Sequence, residues 1–180
     1  MQRTIKYIVC ALLVSFTIVN CSSKPSLQRY FVDNQETKNF ISQDLPLSML
    51  NMDESKLDDT QREAFKSVKR LNFLGYKLDE TNAETYNTEL AKVKTILKDD
   101  QYNELIEFSD KGNKVLVKYL GNEEEADEVI LLGSSKELGF AVVRILGDDM
   151  RPDKMYALVE AMQHTDFDKS QFEGIADFFK

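Results

Sequence analysis

Two cysteines, one histidine, three prolines and seven glycines in 180 residues leave several chemistries without their usual side chains. Cys10 lies inside an apolar leader and departs with it, so Cys21 alone remains and no internal disulfide is possible. A zinc site draws on several His or Cys ligands, which one histidine cannot supply. That histidine, His164, follows a helical stretch among acids and reads as a solvated surface residue. A Ser-His-Asp arrangement could use it, but no Gly-x-Ser-x-Gly elbow is present. Neither the P-loop spacing nor Gly-x-Gly-x-x-Gly occurs, so no phosphate-cradling glycine loop is expected. The scarcity of Gly and Pro also argues against long low-complexity linkers, and no solenoid or propeller period is visible.

Acid exceeds base. The formal charge is −8, and removing a leader of charge +2 (Arg3 and Lys6, no acid) leaves −10. Such a chain repels phosphate backbones, so nucleic-acid binding is not expected, and it offers no basic patch for anionic lipid. Hydrophobic residues at 42% and charged residues at 30% are ordinary for a globular protein. Removing the first 20 residues leaves 160, enough for one domain with a sizeable core.

Met1–Lys6 is short, polar and positive, and Tyr7–Val19 is apolar apart from Ser15 and Thr17. That order is a secretory signal, too short for a spanning helix of about 20 residues. The run ends at Ile18-Val19-Asn20-Cys21 and resembles the lipobox of bacterial lipoproteins, with Asn20 where Gly, Ala or Ser is usual. The resemblance implies a diacylglyceryl group on the Cys21 thiol and cleavage just before it. The expectation is a lipid-anchored envelope protein on the outer membrane facing the periplasm, since two or more acyl chains hold firmly.

The expected organisation is a signal peptide over 1–20, a tether over 21–38, a single α+β domain over 39–165 and a tail over 166–180 carrying a short amphipathic helix. Leu27–Val32 offers a short helix within the tether. Phe40–Leu45 reads as a strand ended by Pro46. Asp58-Asp59-Thr60 supplies helix-start chemistry, and Leu57, Gln61, Ala64, Phe65, Val68 and Leu71 lie near one helical face. Leu71–Lys77 reads as a strand. Thr81 and Glu84 match a capping box ahead of the stripe Tyr86, Leu90, Val93, Leu97, a core face. Four runs follow, Tyr102–Phe108, Lys114–Leu120, Ala126–Leu132 and Gly139–Leu146, separated by turn residues; they predict an antiparallel meander. Gly147–Pro152 breaks the last strand, and Met155, Leu158, Val159 and Met162 form a helical face. The fold class is α+β: a mostly antiparallel sheet with a C-terminal four-strand meander and about three helices packed on one face.

With these elements in place, the chain resembles the domain-of-unknown-function 4252 family of small bacterial envelope lipoproteins, common in Bacteroidetes. The resemblance rests on the leader ending at Cys21, the segments Leu27–Phe31 and Phe40–Leu50, and the hairpin Lys114–Leu120 into Val129–Leu132. The strand Phe140–Leu146 running through Gly147 into the helix after Pro152 completes it. It implies location and fold, but no catalytic residues.

The acids read as surface. Glu123-Glu124-Glu125 with Asp127 and Glu128 guard a turn or sheet edge. Asp148-Asp149 suit a helix start. Asp166, Asp168, Ser170 and Glu173 open like a calcium loop, but the glycine at its sixth position is missing. No cofactor or metal is therefore expected. The tail concentrates Phe167, Phe172, Ile175, Phe178 and Phe179; it packs back on the sheet or offers Phe172, Ile175 and Phe179 to a partner's groove. The expected function is a non-catalytic, lipid-anchored envelope protein whose specific role the sequence does not give, a protein-binding or accessory module. The alternatives are a carboxylate- or calcium-dependent envelope hydrolase, and a lipid or small-ligand carrier.

Overall fold

A computed structural model describes residues 24–47, 53–110, 112–163 and 173–179. In chain order these form α1 (Leu27–Asn34), β1 (Phe40–Leu45), a short 3-10 turn, α2 (Asp59–Ser67), β2 (Val68–Lys77) and α3 (Ala83–Ile96). Then come β3 (Tyr102–Asp110), β4 (Asn113–Gly121), β5 (Ala126–Ser135), β6 (Gly139–Met150), α4 (Pro152–Gln163) and α5 (Glu173–Phe179). None of these helices is long and apolar enough to cross a membrane.

The α+β class and the antiparallel sheet are as expected. Strands β3 to β6 run as a meander, and β2 then β1 extend it beyond β6, giving six strands in the order β1-β2-β6-β5-β4-β3. Every pairing is antiparallel. Successive side chains in a strand point to opposite faces. Leu71, Phe73, Val129 and Ile145 accordingly join one buried cluster, while Leu74, Tyr76, Ile130, Leu132, Phe140 and Val142 join another.

Helices cover both clusters, which corrects the expectation of about three helices on one face. α1 and α3 lie over the second cluster with Leu27, Tyr30, Phe31, Leu90 and Val93. α2 and α4 lie over the first with Ala64, Phe65, Met155 and Leu158. The reason is legible in β5, where Val129-Ile130-Leu131-Leu132 offers no polar alternate and so needs cover on each side. Full burial of each such side chain contributes roughly 1.5–3 kcal/mol.

Four boundaries also move. The domain begins at α1 rather than at residue 39, because Leu27, Tyr30 and Phe31 of the expected tether are buried in the core. α2 ends at Ser67, and Val68 turns directly into the extended backbone of β2. Its start is a reciprocal capping box between Asp58 and Gln61 (3.1 and 2.8 Å). The box expected at Thr81 is replaced: Thr81 bonds Asp79, Asn82 is the cap residue, and the Asn82 amide bridges Lys77 and Asp79. β6 continues through Gly147 to Met150, which pairs with Ala126 beyond a bulge and is fully buried.

The β5–β6 turn is tight. Ser135 Oγ accepts the backbone N–H of Glu137 and of Leu138, and Gly139 follows at φ +127°. A Cβ on Gly139 would overlap the carbonyl oxygen of Tyr76 in the neighbouring strand.

Candidate functional site

α1 and α3 lie side by side on the sheet without closing over one another. Ser26, Arg29, Tyr30 and Asp33 repeat at helical spacing on one wall. Thr88, Ala91, Lys92, Thr95 and Ile96 do the same on the other. Between them runs an open groove of about 720 Å³. The α3 wall is low because Ala91 and the two threonines are short. α1 is pinned at its start by Ser26, whose Oγ accepts the Arg29 N–H (3.3 Å), and held below by its buried face.

A polar seam ties the two walls together. Glu89 sits on the buried stripe of α3, three residues from Tyr86, and is 9% exposed. Tyr30 Oη donates to Glu89 Oε2 (2.9 Å), and Lys92 Nζ donates to Glu89 Oε1 (2.6 Å). The carboxylate is thus fully engaged, as a charge leaving water must be. Asp33 faces Arg29 at 3.6 Å. Beneath the helices Tyr76 stacks on Phe140 at 5.5 Å, with Phe40 edge-on to Tyr76 at 4.9 Å. Deeper still, Arg144 forms a two-pronged pair with Glu128 (2.7 and 2.8 Å), and its guanidinium lies 5.4 Å from the centre of the Phe31 ring. The Glu128 hydrogen bonds raise the Arg144 pKa above its already high value. The site is a firm platform with an open, weakly polar top.

Burial, and then donation to Glu89, push the Tyr30 hydroxyl well above its ordinary pKa. A raised pKa on an acid means that stability is whole below the unfolded value, about 10, and is lost as pH climbs past it. Each such tyrosine contributes a slope of about 1.4 kcal/mol per pH unit there. Tyr30→Phe is expected to cost about 1–3 kcal/mol near neutrality, since Glu89 loses a buried donor. It is also expected to flatten the alkaline slope by one tyrosine. Urea unfolding from neutral to strongly alkaline pH reads both; an unchanged slope would mean that Tyr30 is not held in the folded protein as described.

The residues singled out in the sequence fall elsewhere. Cys21, His164, Phe172 and the stretch Asp166 to Ser170 lie outside the described residues. Ile175 and Phe179 pack on the opposite sheet face, with the Phe179 ring over Gly75. Beside that ring, Val115, Gly133 and Ala141 line a second cleft of about 480 Å³. Glu123 to Glu125 and Asp127 are exposed around the β4–β5 turn, whereas Glu128 is buried against Arg144. Asp148 meets Lys69 at 3.9 Å. Among the described residues, no three His, Cys, Asp or Glu side chains converge as a metal site. Sequence reasoning missed Tyr30 and Glu89; the available signal was a carboxylate on the core stripe of α3.

The described family model "Domain of unknown function (DUF4252)" matches residues 30–158, which takes in the sheet, α2, α3, most of α1 and the start of α4 to Leu158. No curated protein and no solved structure matches the chain.

Proposed function

For a chain that belongs to the family of the domain of unknown function DUF4252, we propose a non-catalytic binding role at the cell envelope, with a lipid on Cys21 as anchor and the α1–α3 groove as the docking site. The partner is an envelope protein that presents an amphipathic helix. The observation that carries this reading is the groove itself: an open trough of about 720 Å³ between two helical walls, with small side chains along α3. Its position supports the anchor. Pro25 and Ser26 line the groove, and Lys24 pairs with Asp99 beyond the end of α3 at 3.6 Å, so the groove opens only a few residues from Cys21. A partner held there would stand close to the membrane surface.

The test is site-specific photocrosslinking in intact cells. A photoreactive residue at Ala91 is expected to give one discrete adduct, and the same residue at Glu123, on the exposed β4–β5 turn, is expected to give none. Thr88→Trp, which fills the groove without touching the core, is expected to reduce the Ala91 adduct at least tenfold. Equal adducts at both positions, or an adduct indifferent to the tryptophan, would remove the groove as a docking site. Clickable fatty-acid labelling of wild type against Cys21→Ala tests the anchor separately: label that survives the substitution ends that part of the reading.

A further inference from the structure

The cleft where the end of α3 overhangs β4 and β5 stands apart from the rest of this acidic chain. Lys94 reaches it from the last turn of α3 and Lys98 from just beyond the helix, and Lys114 and Lys118 from β4. Two carboxylates, Glu104 and Glu107, share it, so the lining carries +2 in a chain of −8. The sequence shows no basic run because the two lysine pairs are separated by β3. The fold brings them to one cleft of about 260 Å³.

One of the four charges is already spent, since Lys114 pairs with Glu107 at 2.7 Å; the other three are not. Lys118 Nζ donates to the carbonyl of Leu97 (2.6 Å), which fixes the ammonium in the cleft and leaves its other protons available. Lys94 and Lys98 are exposed, have no acidic partner among the described residues, and repel one another at i, i+4. The floor between them is apolar: Leu97, Leu116 and Leu132.

We propose that this cleft binds a phosphate monoester carried on an apolar body, the dianion matching the +2 lining and the apolar part lying on the leucine floor. Such chemistry is shared by a phosphorylated lipid headgroup and by a soluble phosphate ester. The competing structural explanation is that the lysines only balance the negative end of α3.

The experiment titrates the full-length chain, held in neutral phosphatidylcholine nanodiscs, with inorganic phosphate, butyl phosphate and butyl glucoside by calorimetry. Butyl phosphate is expected to bind about tenfold more tightly than inorganic phosphate, from methylenes partly buried on the floor. Butyl glucoside is expected not to bind. Lys94→Gln/Lys98→Gln is expected to weaken butyl phosphate at least tenfold, as loss of charge-assisted hydrogen bonds does. In wild type, affinity should also fall steadily with salt, a readout that needs no variant. Phosphatidic acid in the disc that competes with butyl phosphate identifies the lipid as the source; lack of competition identifies a soluble ester. Equal binding of the glucoside, equal binding of inorganic phosphate, or a double variant that melts lower yet binds unchanged would each overturn the proposal.

Discussion

Arg144→Met is expected to lower the stability of the folded chain by about 3–5 kcal/mol, the largest loss expected from any single side-chain truncation described above. The arginine and Glu128 meet diagonally across the β5–β6 ladder at 12% and 9% side-chain exposure, with two hydrogen bonds between them. Removing the cation leaves a carboxylate out of water with nothing to answer it. It also removes the flat guanidinium against Phe31, one of the contacts that seat α1 on the sheet. The double variant Glu128→Met/Arg144→Met is the informative control. An apolar pair of similar volume carries no desolvation penalty, so most of the loss should return. Urea unfolding of wild type, both single variants and the double variant closes the cycle. A double variant as unstable as Arg144→Met alone would show that the loss comes from packing and not from an abandoned charge.

Gly139→Ala is expected to cost at least about 3 kcal/mol, equivalent to a fall of about 6–12 °C in Tm for a domain of this size. Two penalties coincide. A φ of +127° is essentially a glycine conformation, and the added methyl would lie 2.9 Å from Leu78 N as well as overlapping the Tyr76 carbonyl oxygen. Neither contact can relax without parting β2 from β6, because Leu78 N donates to Leu138 O at this same corner (3.0 Å). Gly133→Ala provides the matched comparison: a Cβ there meets nothing within 4 Å. Its Tm should stay within a few degrees of wild type. Similar melting of the two variants would contradict the described β5–β6 corner.

The strands were largely legible because their signal is local. Period-two alternation and turn residues located β3 to β6, and Pro46 marked the end of β1. What could not be read was which elements share a face. The apolar run of β5 indicates a central strand that needs cover on each side, but only the assembled sheet shows which helices supply it and that α1 is one of them. The capping error at Thr81 has the same origin: Asp79 and Asn82 compete for the hydroxyl and the free backbone groups, and a pattern four residues long does not decide that contest. For the groove, the buried Glu89 could have drawn attention to α3, but its donor Tyr30 lies far away in sequence, in a segment that resembled a tether. The lysine cleft was hidden more thoroughly, since its two halves meet only once α3 lies across β4.

The strand order carries a consequence for timing. β3 to β6 are joined by short turns, so each can find its neighbour as soon as it exists. β2 is different: its inner neighbour is β6, with α3 and three strands between them in the chain. During synthesis from the N-terminus, β1 and β2 emerge as a two-stranded ribbon, a unit of marginal stability on its own. Phe73, Leu74 and Tyr76 then wait uncovered until residues 139–147 arrive to zip along β2. The slow, non-local step of assembly is therefore the joining of β2 to β6, and the interval before it is when this chain most needs a chaperone's protection.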